Sequence, residues 1–418
     1  MKLSEVCLNI VDCPHSTAPD EGSGYALVRT PNIGKGRFNL EGVHRISEEA
    51  YKKRCARITP TLNDLILARE APAGNVAIIK ENMEPLALGQ RTVLIRPNPE
   101  MVNPDFLVYY ILAPKQQNEL LGRATGATVA HVNIPIINNL PISLPPLKTQ
   151  QKIACILSAY DDLIENNRKQ IKLLEEAAQK LYKEWFVKLN FPGHENTKIV
   201  DGIPEGWKNN TVGELIEFEI GGGWGTDEPE KNSIYSTFVI RGTDIEDIKM
   251  GNITSVPYRF QTEATLNSRQ LKINDIIFEV SGGSKNIGVG RALLFDYKME
   301  ERFSERVICA SFCKLIRLKD KKIAQFFFDT LVFWRLQKQL EPFERRSASN
   351  IVNFGWKDFL ERKNILIPNK VILEKYLSVS TTVQTKIQNC SNQIQHLQSA
   401  RDKLLPKLMN GEIDVKYF

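Results

Sequence analysis

The feature that most constrains the fold is residues 144–189, where apolar side chains recur every seven positions. Pro145 and Pro146 precede this stretch, and no Gly or Pro interrupts it from Ile153 onward, so a continuous helix is predicted. At ~1.5 Å per residue it would span roughly 60 Å, which suits a spacer rod or a bundle element. Two series spaced four and three residues apart predict an a/d seam over five heptads, formed by Ile153, Leu157, Tyr160, Ile164, Asn167, Ile171, Leu174, Ala178, Leu181 and Trp185.

The same pattern returns near the C-terminus. Each seam position there lies 223 residues after its counterpart, and Pro145 maps by the same offset to Pro368. A constant offset without gaps indicates an internal duplication. The second seam consists of Tyr376, Ser380, Val383, Ile387, Cys390, Ile394, Leu397, Arg401, Leu404 and Leu408.

A mixed α/β domain is predicted before the first rod. Short apolar runs flanked by Gly, Pro or Asn predict strands at residues 25–29, 64–68, 76–79 and 92–96, and a mostly apolar run predicts one helix from Pro104 to about Leu121. The second half repeats this frame. Four short segments of the first domain have echoes in the second, at offsets between 209 and 221: residues 3–6 and 212–215, 26–29 and 238–241, 62–65 and 273–276, 127–128 and 348–349.

These repeats predict five segments: a first globular domain (1–143), a central helical spacer (144–189), a linker (190–207), a second globular domain (208–368) and a distal helical spacer (369–413). The predicted fold class is α/β of the α+β kind. Two duplicated mixed domains are separated by two long helices, which form an antiparallel coiled coil with pseudo-two-fold symmetry. On DNA, such an arrangement of two readers would imply two half-sites at a set distance.

Composition narrows the class of protein. A hydrophobic content of 42% supports two cores, and a net charge of +6 suits an acidic partner only modestly. The seven scattered cysteines contain no CxxC pair, which indicates a reducing compartment and a cytoplasmic protein. The N-terminus does not read as a signal peptide, and no run of 18 apolar residues predicts a membrane span.

Catalytic signatures are absent from the sequence. There is no P-loop; residues 282–290 favour a turn between strands, and residues 221–225 are too closely spaced for a dinucleotide fingerprint. Glu361-Arg-Lys363 has the Glu-x-Lys form of some nucleases but lacks the preceding strand Asp, so chance is favoured. The five histidines show no metal-ligand spacing, and no metal site is predicted. A binding role is therefore favoured over catalysis.

Basic and small polar residues in turns are the candidates for DNA contacts. Gly allows a close approach to phosphate, while Lys, Arg, Ser, Thr and Asn offer donors to phosphates or base edges. For any single residue, a solvated turn is an equal alternative. The candidates are Arg29, Asn32, Lys35, Arg37, Arg123, Thr125, Thr128, Asn133, Arg241, Lys285, Arg291, Arg345, Arg346, Ser349 and Asn350.

Taken together, the chain resembles the specificity subunit of type I restriction-modification systems over nearly its whole length. The strongest match runs from Gly126-Ala-Thr128 through Leu140-Pro-Ile-Ser-Leu-Pro-Pro-Leu147 to Gln150-Gln-Lys-Ile153. Residues 401–413 resemble the usual end of the distal helix of this family. The second copy departs from the family pattern, because Pro368 is followed by Asn369 and the Gln-Gln helix entry is missing.

The resemblance implies two target recognition domains that each read half of a bipartite double-stranded DNA site. It also implies that the helices set the gap and hold two modification (methyltransferase) subunits, with restriction (endonuclease) subunits joining them. This chain would then hold no cofactor; S-adenosylmethionine, ATP and Mg²⁺ would be used by the partner subunits. Two alternatives stay open: a stand-alone enzyme acting on nucleic acid, and a coiled-coil scaffold.

Overall fold

A computed structural model describes residues 1–124, 130–283, 288–346 and 351–415. The chain divides into two compact units. Unit 1 comprises Met1–Leu163 and Leu397–Phe418, and unit 2 comprises Ile164–His396. Each unit therefore takes a portion of both long helices, whereas the sequence analysis treated the helices as separate segments. The five-segment division remains a prediction.

In its described residues, unit 1 combines seven short strands with four short α-helices, besides its portions of the two long helices. The strands predicted at 25–29, 64–68, 76–79 and 92–96 are confirmed to within a residue or two. The single helix predicted from Pro104 to about Leu121 is wrong, because Pro114 has no amide hydrogen and starts a new helix. The elements are β1 (Cys7–Asp12), β2 (Tyr25–Val28), β3 (His44–Ile46), α1 (Glu48–Arg54), β4 (Leu65–Ala68), β5 (Val76–Ile78), β6 (Leu86–Leu88), β7 (Thr92–Pro97), α2 (Pro104–Leu112), α3 (Pro114–Leu121) and α4 (Ile134–Asn138).

The first long helix, α5 (Leu147–Tyr182), begins one turn and more before Ile153 and continues as a π-helical turn over Lys183–Val187. The segment predicted as an irregular linker contains a small hairpin, β8 (Ile199–Val200) and β9 (Ile203–Pro204). Asp201 and Gly202 at its turn both have positive φ, as a two-residue hairpin loop of this kind requires.

Unit 2 repeats the mixed architecture and adds two further small sheets, β10-β21 and β15-β20-β19, to those that match unit 1. Its elements are β10 (Lys208–Thr211), α6 (Val212–Leu215), β11 (Ile216–Gly221), β12 (Tyr235–Ile240), α7 (Ile245–Lys249), β13 (Tyr258–Gln261), α8 (Glu263–Arg269), β14 (Asp275–Glu279), β15 (Ser281–Gly282), β16 (Ala292–Phe295), α9 (Tyr297–Glu300), β17 (Arg306–Cys309), β18 (Cys313–Leu318), α10 (Ala324–Leu336), β19 (Glu344–Arg346), β20 (Val352–Phe354), α11 (Trp356–Arg362), β21 (Asn364–Ile367) and α12 (Lys370–Met409).

The two units contain the same pair of sheets. A four-stranded antiparallel sheet has the order β1-β7-β4-β5 in unit 1 and β11-β18-β14-β16 in unit 2. We call it the large sheet. The small sheet has the order β3-β2-β6 in unit 1 and β13-β12-β17 in unit 2, and in both its last pair is parallel. The internal duplication predicted from the sequence is therefore visible in the topology.

A buried ion pair is repeated in both large sheets. Asp64 accepts from the Arg96 Nε at 2.8 Å, and Asp275 accepts from the Arg317 Nε at 2.8 Å. Both carboxylates are 1% exposed and also accept a backbone N–H, from Thr61 and Lys272 respectively. The residue before each Asp is an Asn with positive φ, a conformation that Asn tolerates better than most residues.

The long helices run antiparallel to one another inside each unit. In unit 1, Lys152 donates to the Val415 carbonyl at 3.1 Å and Arg401 binds Asp161. In unit 2, the Tyr182 ring lies 6.4 Å from that of Tyr376, and the Cys390 thiol lies 3.9 Å from Gln170. Within each unit, residues later in α5 therefore contact residues earlier in α12. Leu157 and Leu408 belong to the core of unit 1, and Tyr182 and Tyr376 belong to the core of unit 2.

None of the fourteen seam residues named as site candidates is exposed: Ile153, Leu157, Tyr160, Ile164, Ile171, Leu174, Leu181, Trp185, Val383, Ile387, Ile394, Leu397, Leu404 and Leu408 are buried or half-buried. At the polar seam position, the Asn167 side chain is also buried. A single polar residue at an a position costs stability but fixes the register of a helix pair.

Candidate nucleic-acid interface

Arg29 and Arg241 occupy the same turn, directly after β2 in unit 1 and β12 in unit 2. The Arg29 amide donates to the Asn32 side chain at 3.0 Å, and the Arg241 amide donates to the Asp244 carboxylate at 2.9 Å. Asn32 is buried and also donates to the Asn39 carbonyl, so both ends of its amide are engaged within unit 1. The Arg241 guanidinium also binds Asp244, and this ion pair raises its pKa.

The Gly34–Arg37 loop, the first basic loop singled out in the sequence, contacts α5. Lys35 is exposed, whereas Arg37 donates to Asp162 at 2.8 Å. Burial disfavours the charged form of Arg37, but the bond to Asp162 and the nearby Asp161 outweigh it, so its pKa is raised. Gly36 has φ +92°, and a Cβ there would stand 3.2 Å from Asp161. This loop therefore positions α5, and within it Lys35 is the side chain left facing solvent.

Three candidate arginines lie at the surface in ion pairs. Arg123 binds Glu119 one helical turn earlier at 2.9 Å, and 59% of its side chain is exposed. Arg345 is 72% exposed and binds Asp358, while Arg346 lies 3.8 Å from Glu344. Exposed pairs of this kind contribute little to stability and exchange readily for another anion. These side chains remain accessible to a phosphate.

Arg291 and Asn133 are placed differently. The Arg291 side chain is 14% exposed and binds the buried Glu279 through its Nε at 2.9 Å, so it contributes to the interior of unit 2. Burial opposes the bond to Glu279, but that bond is the larger influence and the pKa of Arg291 is raised. Asn133 is half-buried at the start of α4, where its carbonyl accepts from Ile136 at 2.9 Å.

Five further candidates lie outside the described residues, so their predicted contacts are untested: Thr125, Thr128, Lys285, Ser349 and Asn350. The matched small-residue segments 127–128 and 348–349 fall in the same gaps.

A buried polar network that the sequence analysis missed adjoins residues 130–132 in unit 1. The Arg69 side chain is 9% exposed; it binds Asp12 at 2.9 Å and the Val132 carbonyl at 2.9 Å. Its remaining NH2 group lies 2.7 Å from the His131 Nε2, and the His131 Nδ1 faces Glu70. Because a guanidinium only donates, the His131 Nε2 must accept and the Nδ1 must carry the hydrogen. The network links His131 and Val132 to Asp12 on β1 and to Arg69 and Glu70, which follow β4.

Metal-ligand clusters and cysteine thiols were considered in the part of the chain that the structure describes. No group of three or more His, Cys, Asp or Glu residues there could hold a metal ion. All seven cysteines are free, and burial raises the pKa of Cys309 to about 12, so this thiol stays protonated at neutral pH. Among the described helices, none has the length and apolar character needed to cross a membrane.

Comparisons with known proteins agree with this arrangement. Residues 1–176 match the family model for the type I restriction modification DNA specificity domain. The chain is 29% identical to the type I restriction enzyme MjaIX specificity subunit of Methanocaldococcus jannaschii over 383 residues, which cover 90% of this chain and 83% of that protein. The MjaVIII specificity subunit of the same organism is 26% identical and covers 75% of this chain and 71% of its own length.

A solved structure shares the fold. The S subunit of a type I restriction-modification system from M. genitalium superposes with a TM-score of 0.53 at 14% identity, covering 98% of this chain and 95% of that one. Residues 1–176 therefore form a type I restriction-modification DNA specificity domain. Over 90% of its length the chain is similar to a specificity subunit of a type I restriction-modification system, in agreement with the resemblance found in the sequence.

Proposed function

We propose that this chain recognises a bipartite double-stranded DNA site, with one half read by each globular domain. The observation that carries the proposal is the repeated large sheet: strand order and buried ion pair are kept, while the loops and the outer-face residues of the small sheets differ. Two domains that share a fold but differ in their contact residues are suited to recognising two different DNA sequences. The protein itself is the non-catalytic subunit of its complex.

The decisive test replaces one of the two globular domains. Residues 1–143 would be replaced by the first domain of another family member, and the methylated adenines would be mapped in cells that also carry the modification subunits. We expect one half of the motif to change while the other half and the gap stay the same. A change in both halves would contradict separate reading.

The partners follow from the same proposal. Two modification subunits would bind along the paired helices and methylate adenine with S-adenosylmethionine, and restriction subunits would use ATP and Mg²⁺ to cleave DNA. The complex would act in the cytoplasm, where chromosomal DNA and reduced cysteines coexist. Equilibrium dialysis of the purified chain with S-adenosylmethionine should show no binding; tight binding would favour the stand-alone enzyme instead.

The paired helices would set the gap between the half-sites. One heptad inserted between Leu163 and Ile164, and another between His396 and Leu397, would fall at the boundaries of the compact units. These positions avoid the contacts of Arg37 with α5 and of Arg302 with α12. Seven residues preserve the seam to within ~20°. Each helix would lengthen by roughly 10.5 Å, or up to about three base pairs.

We expect the methylated half-sites to keep their sequences while the gap widens. Insertion into one helix alone is the matched control and should abolish activity, because the two seams then no longer face each other. An active doubly extended complex with the original gap would show that helix length does not set it.

A further inference from the structure

Two arginines flank a buried threonine on the outer face of the small sheet in unit 2. Thr237 on β12 is paired with Arg259 on β13 and with Arg306 on β17, so the three side chains lie side by side on one face. Thr237 itself is fully buried, and Arg306 is exposed. The backbone positions of the two arginines are thus about two strand spacings apart, roughly 10 Å.

Each of these arginines lies over an aromatic ring. The Arg259 guanidinium carbon is 4.7 Å from the centre of the Trp224 ring, and that of Arg306 is 5.8 Å from the centre of the Tyr235 ring. Stacking on a ring orients the planar guanidinium and leaves its N–H groups directed sideways. We call these four side chains the arginine–aromatic face.

The glycine-rich segment 221–225 holds Trp224 in place. A Cβ on Gly222 would overlap the carbonyl oxygens of Ala310 and Cys309, so only glycine allows the backbone to lie this close. Gln261 then donates to the Trp224 carbonyl at 3.1 Å, and Thr226 exchanges two backbone hydrogen bonds with Phe260. The loop that the sequence analysis rejected as a dinucleotide fingerprint is a fixed support for an indole that is 40% exposed.

An acidic side chain already occupies the anion position beside Arg259. Asp227 binds the Arg259 guanidinium, although the Asp227 side chain is 85% exposed and that of Arg259 only 16%. The Arg259 Nε is buried and has no hydrogen-bond partner. An exposed carboxylate loses little when it returns to water. A phosphate has more acceptor oxygens than a carboxylate and can bind Arg in the same bidentate way.

We propose that the arginine–aromatic face binds backbone phosphates of the half-site read by unit 2, and that Asp227 fills one of those phosphate positions while DNA is absent. The inference rests on the proposed function and adds the residues that make the contact. An acidic surface of a partner subunit would use the same guanidinium groups. DNA is favoured because ordered aromatic rings beside arginine suit the sugar–phosphate edge and the bases next to it.

Unit 1 has no such face at the corresponding place. There Tyr25 on β2 pairs with Ile46, which is fully buried, and the Tyr25 ring stacks on Tyr51 at 4.2 Å. His15, which precedes Trp224 by the same 209 positions that separate the starts of β1 and β11, lies 3.3 Å from Asp12. The proposal therefore concerns the second half-site alone.

The test measures the affinity of the full chain, assembled with its modification subunits, for a duplex carrying its methylated motif between 50 and 200 mM salt. Each of R259A and R306A should reduce the salt slope by about one. The ratio of wild-type to variant affinity should then shrink by roughly 3.5-fold across that range. K338A is the matched control, because it removes one cation from a side chain that is 79% exposed elsewhere in unit 2.

D227N adds an opposite prediction that does not depend on removing a contact. It should raise affinity for the duplex, whereas E230Q, which removes a negative charge from the same loop, should raise it less. Arginine variants that match K338A, or a D227N effect no larger than that of E230Q, would overturn the proposal. It would also be overturned if R306A released the modification subunits, as judged by size-exclusion chromatography, with DNA affinity unchanged.

The outcomes separate this inference from the proposed function. If the wild-type complex shows no preference for its motif over a scrambled duplex, the proposed function fails. If the wild type discriminates and the variants behave like their controls, only the arginine–aromatic face is wrong.

Discussion

The large sheets of units 1 and 2 match in detail, while the small sheets beside them do not. Both large sheets have the same strand order and a register irregularity near the start of the first strand. Both also have the Asp–Arg pair, with Asp64 directly before β4 and Asp275 at the start of β14. The small sheets keep their order as well, but their outer faces differ. In unit 1 this face is closed by stacked Tyr25 and Tyr51, and in unit 2 it carries Arg259 and Arg306.

The difference shows which part of the domain can vary. The large sheet holds residues whose substitution would leave a buried charge or polar group unpaired, so its pattern resists change. On the outer face of the small sheet in unit 2, Arg306 is exposed, and at an exposed position most substitutions cost little stability. One helical arginine in each unit lies between these cases. Arg54 on α1 donates to the carbonyl of Ser16, which follows β1, and Arg269 on α8 donates to the carbonyl of Gly221 at the end of β11.

The largest expected effect tests whether the buried Asp–Arg pair of the large sheet is equally necessary for the stability of both units. Asp275→Ala should leave Arg317 and the Lys272 N–H without their acceptor and cost about 3–5 kcal/mol of unfolding free energy. Asp64→Ala is the same change in unit 1. Urea unfolding, followed by hydrogen exchange of peptides from each unit, would measure both. Glu361→Ala, at an exposed position, is the control. A loss of stability caused by only one of the two Asp substitutions would show that the two ion pairs are not equivalent.

The next effect should distinguish the units by pH. Asp329 on α10 is fully buried; burial raises its pKa to about 7, although Tyr376 and Gln325 donate hydrogen bonds to it. The folded state therefore binds a proton that the unfolded state has released, and stability falls as pH rises from about 4 through 7. At ~1.4 kcal/mol per pKa unit the loss could reach about 4 kcal/mol above pH 8.

Asp329→Asn should remove this pH dependence and make unit 2 more stable at pH 8, as measured by urea unfolding and by hydrogen exchange in α10. Val108 stands 221 residues earlier in unit 1, so protection of α2 should not vary over the same pH range. If the stability of the variant depended on pH as that of the wild type does, ionisation of Asp329 would not be the source of the dependence.

A smaller effect concerns the support of Trp224. Gly222→Ala should force the loop away from Ala310, at a cost of roughly 1–3 kcal/mol, and shift the Trp224 fluorescence to the red as the ring becomes more exposed. Gly221→Ala is a close control, because nothing lies within 4 Å of a Cβ there. Equal behaviour of the two variants would mean that the loop does not depend on this close approach.

The smallest expected effect on stability concerns the surface arginines. Arg123→Ala removes an exposed pair with Glu119 and should change the unfolding free energy by less than about 0.5 kcal/mol. If Arg123 contacts a phosphate, the salt slope for DNA binding should nevertheless fall by about one. Arg345→Ala and Arg346→Ala make the same test in unit 2. Three unchanged salt slopes would leave all of them as solvated turn residues.

The sequence could predict those features that repeat or that depend on local order. The seven-residue spacing from Ile153 onward predicted α5, and the echo of residues 62–65 at 273–276 already contained Asp64 and Asp275. Their arginine partners were not predicted, because Arg96 and Arg317 lie on other strands and no local pattern joins them. For the same reason the sequence analysis counted Arg37 among the candidate DNA contacts and did not predict its hydrogen bond to Asp162, 125 positions away.

The break at Pro114 was within reach of the sequence, since proline rarely continues a helix, but the apolar run on both sides suggested one element. The arginine–aromatic face was not within reach. Trp224, Arg259 and Arg306 are far apart in sequence, and only the pairing of β12 with its two neighbours brings them to one face.

The division of the chain into units bears on its synthesis. Unit 2 is one continuous segment, Ile164–His396, so all of its residues are translated before residue 397. Unit 1 begins at Met1 yet includes Leu404, Leu408 and Val415 in its core. The first domain to be translated is therefore the last to be completed, and a chain that stops before Leu397 lacks part of that domain's interior rather than a dispensable tail.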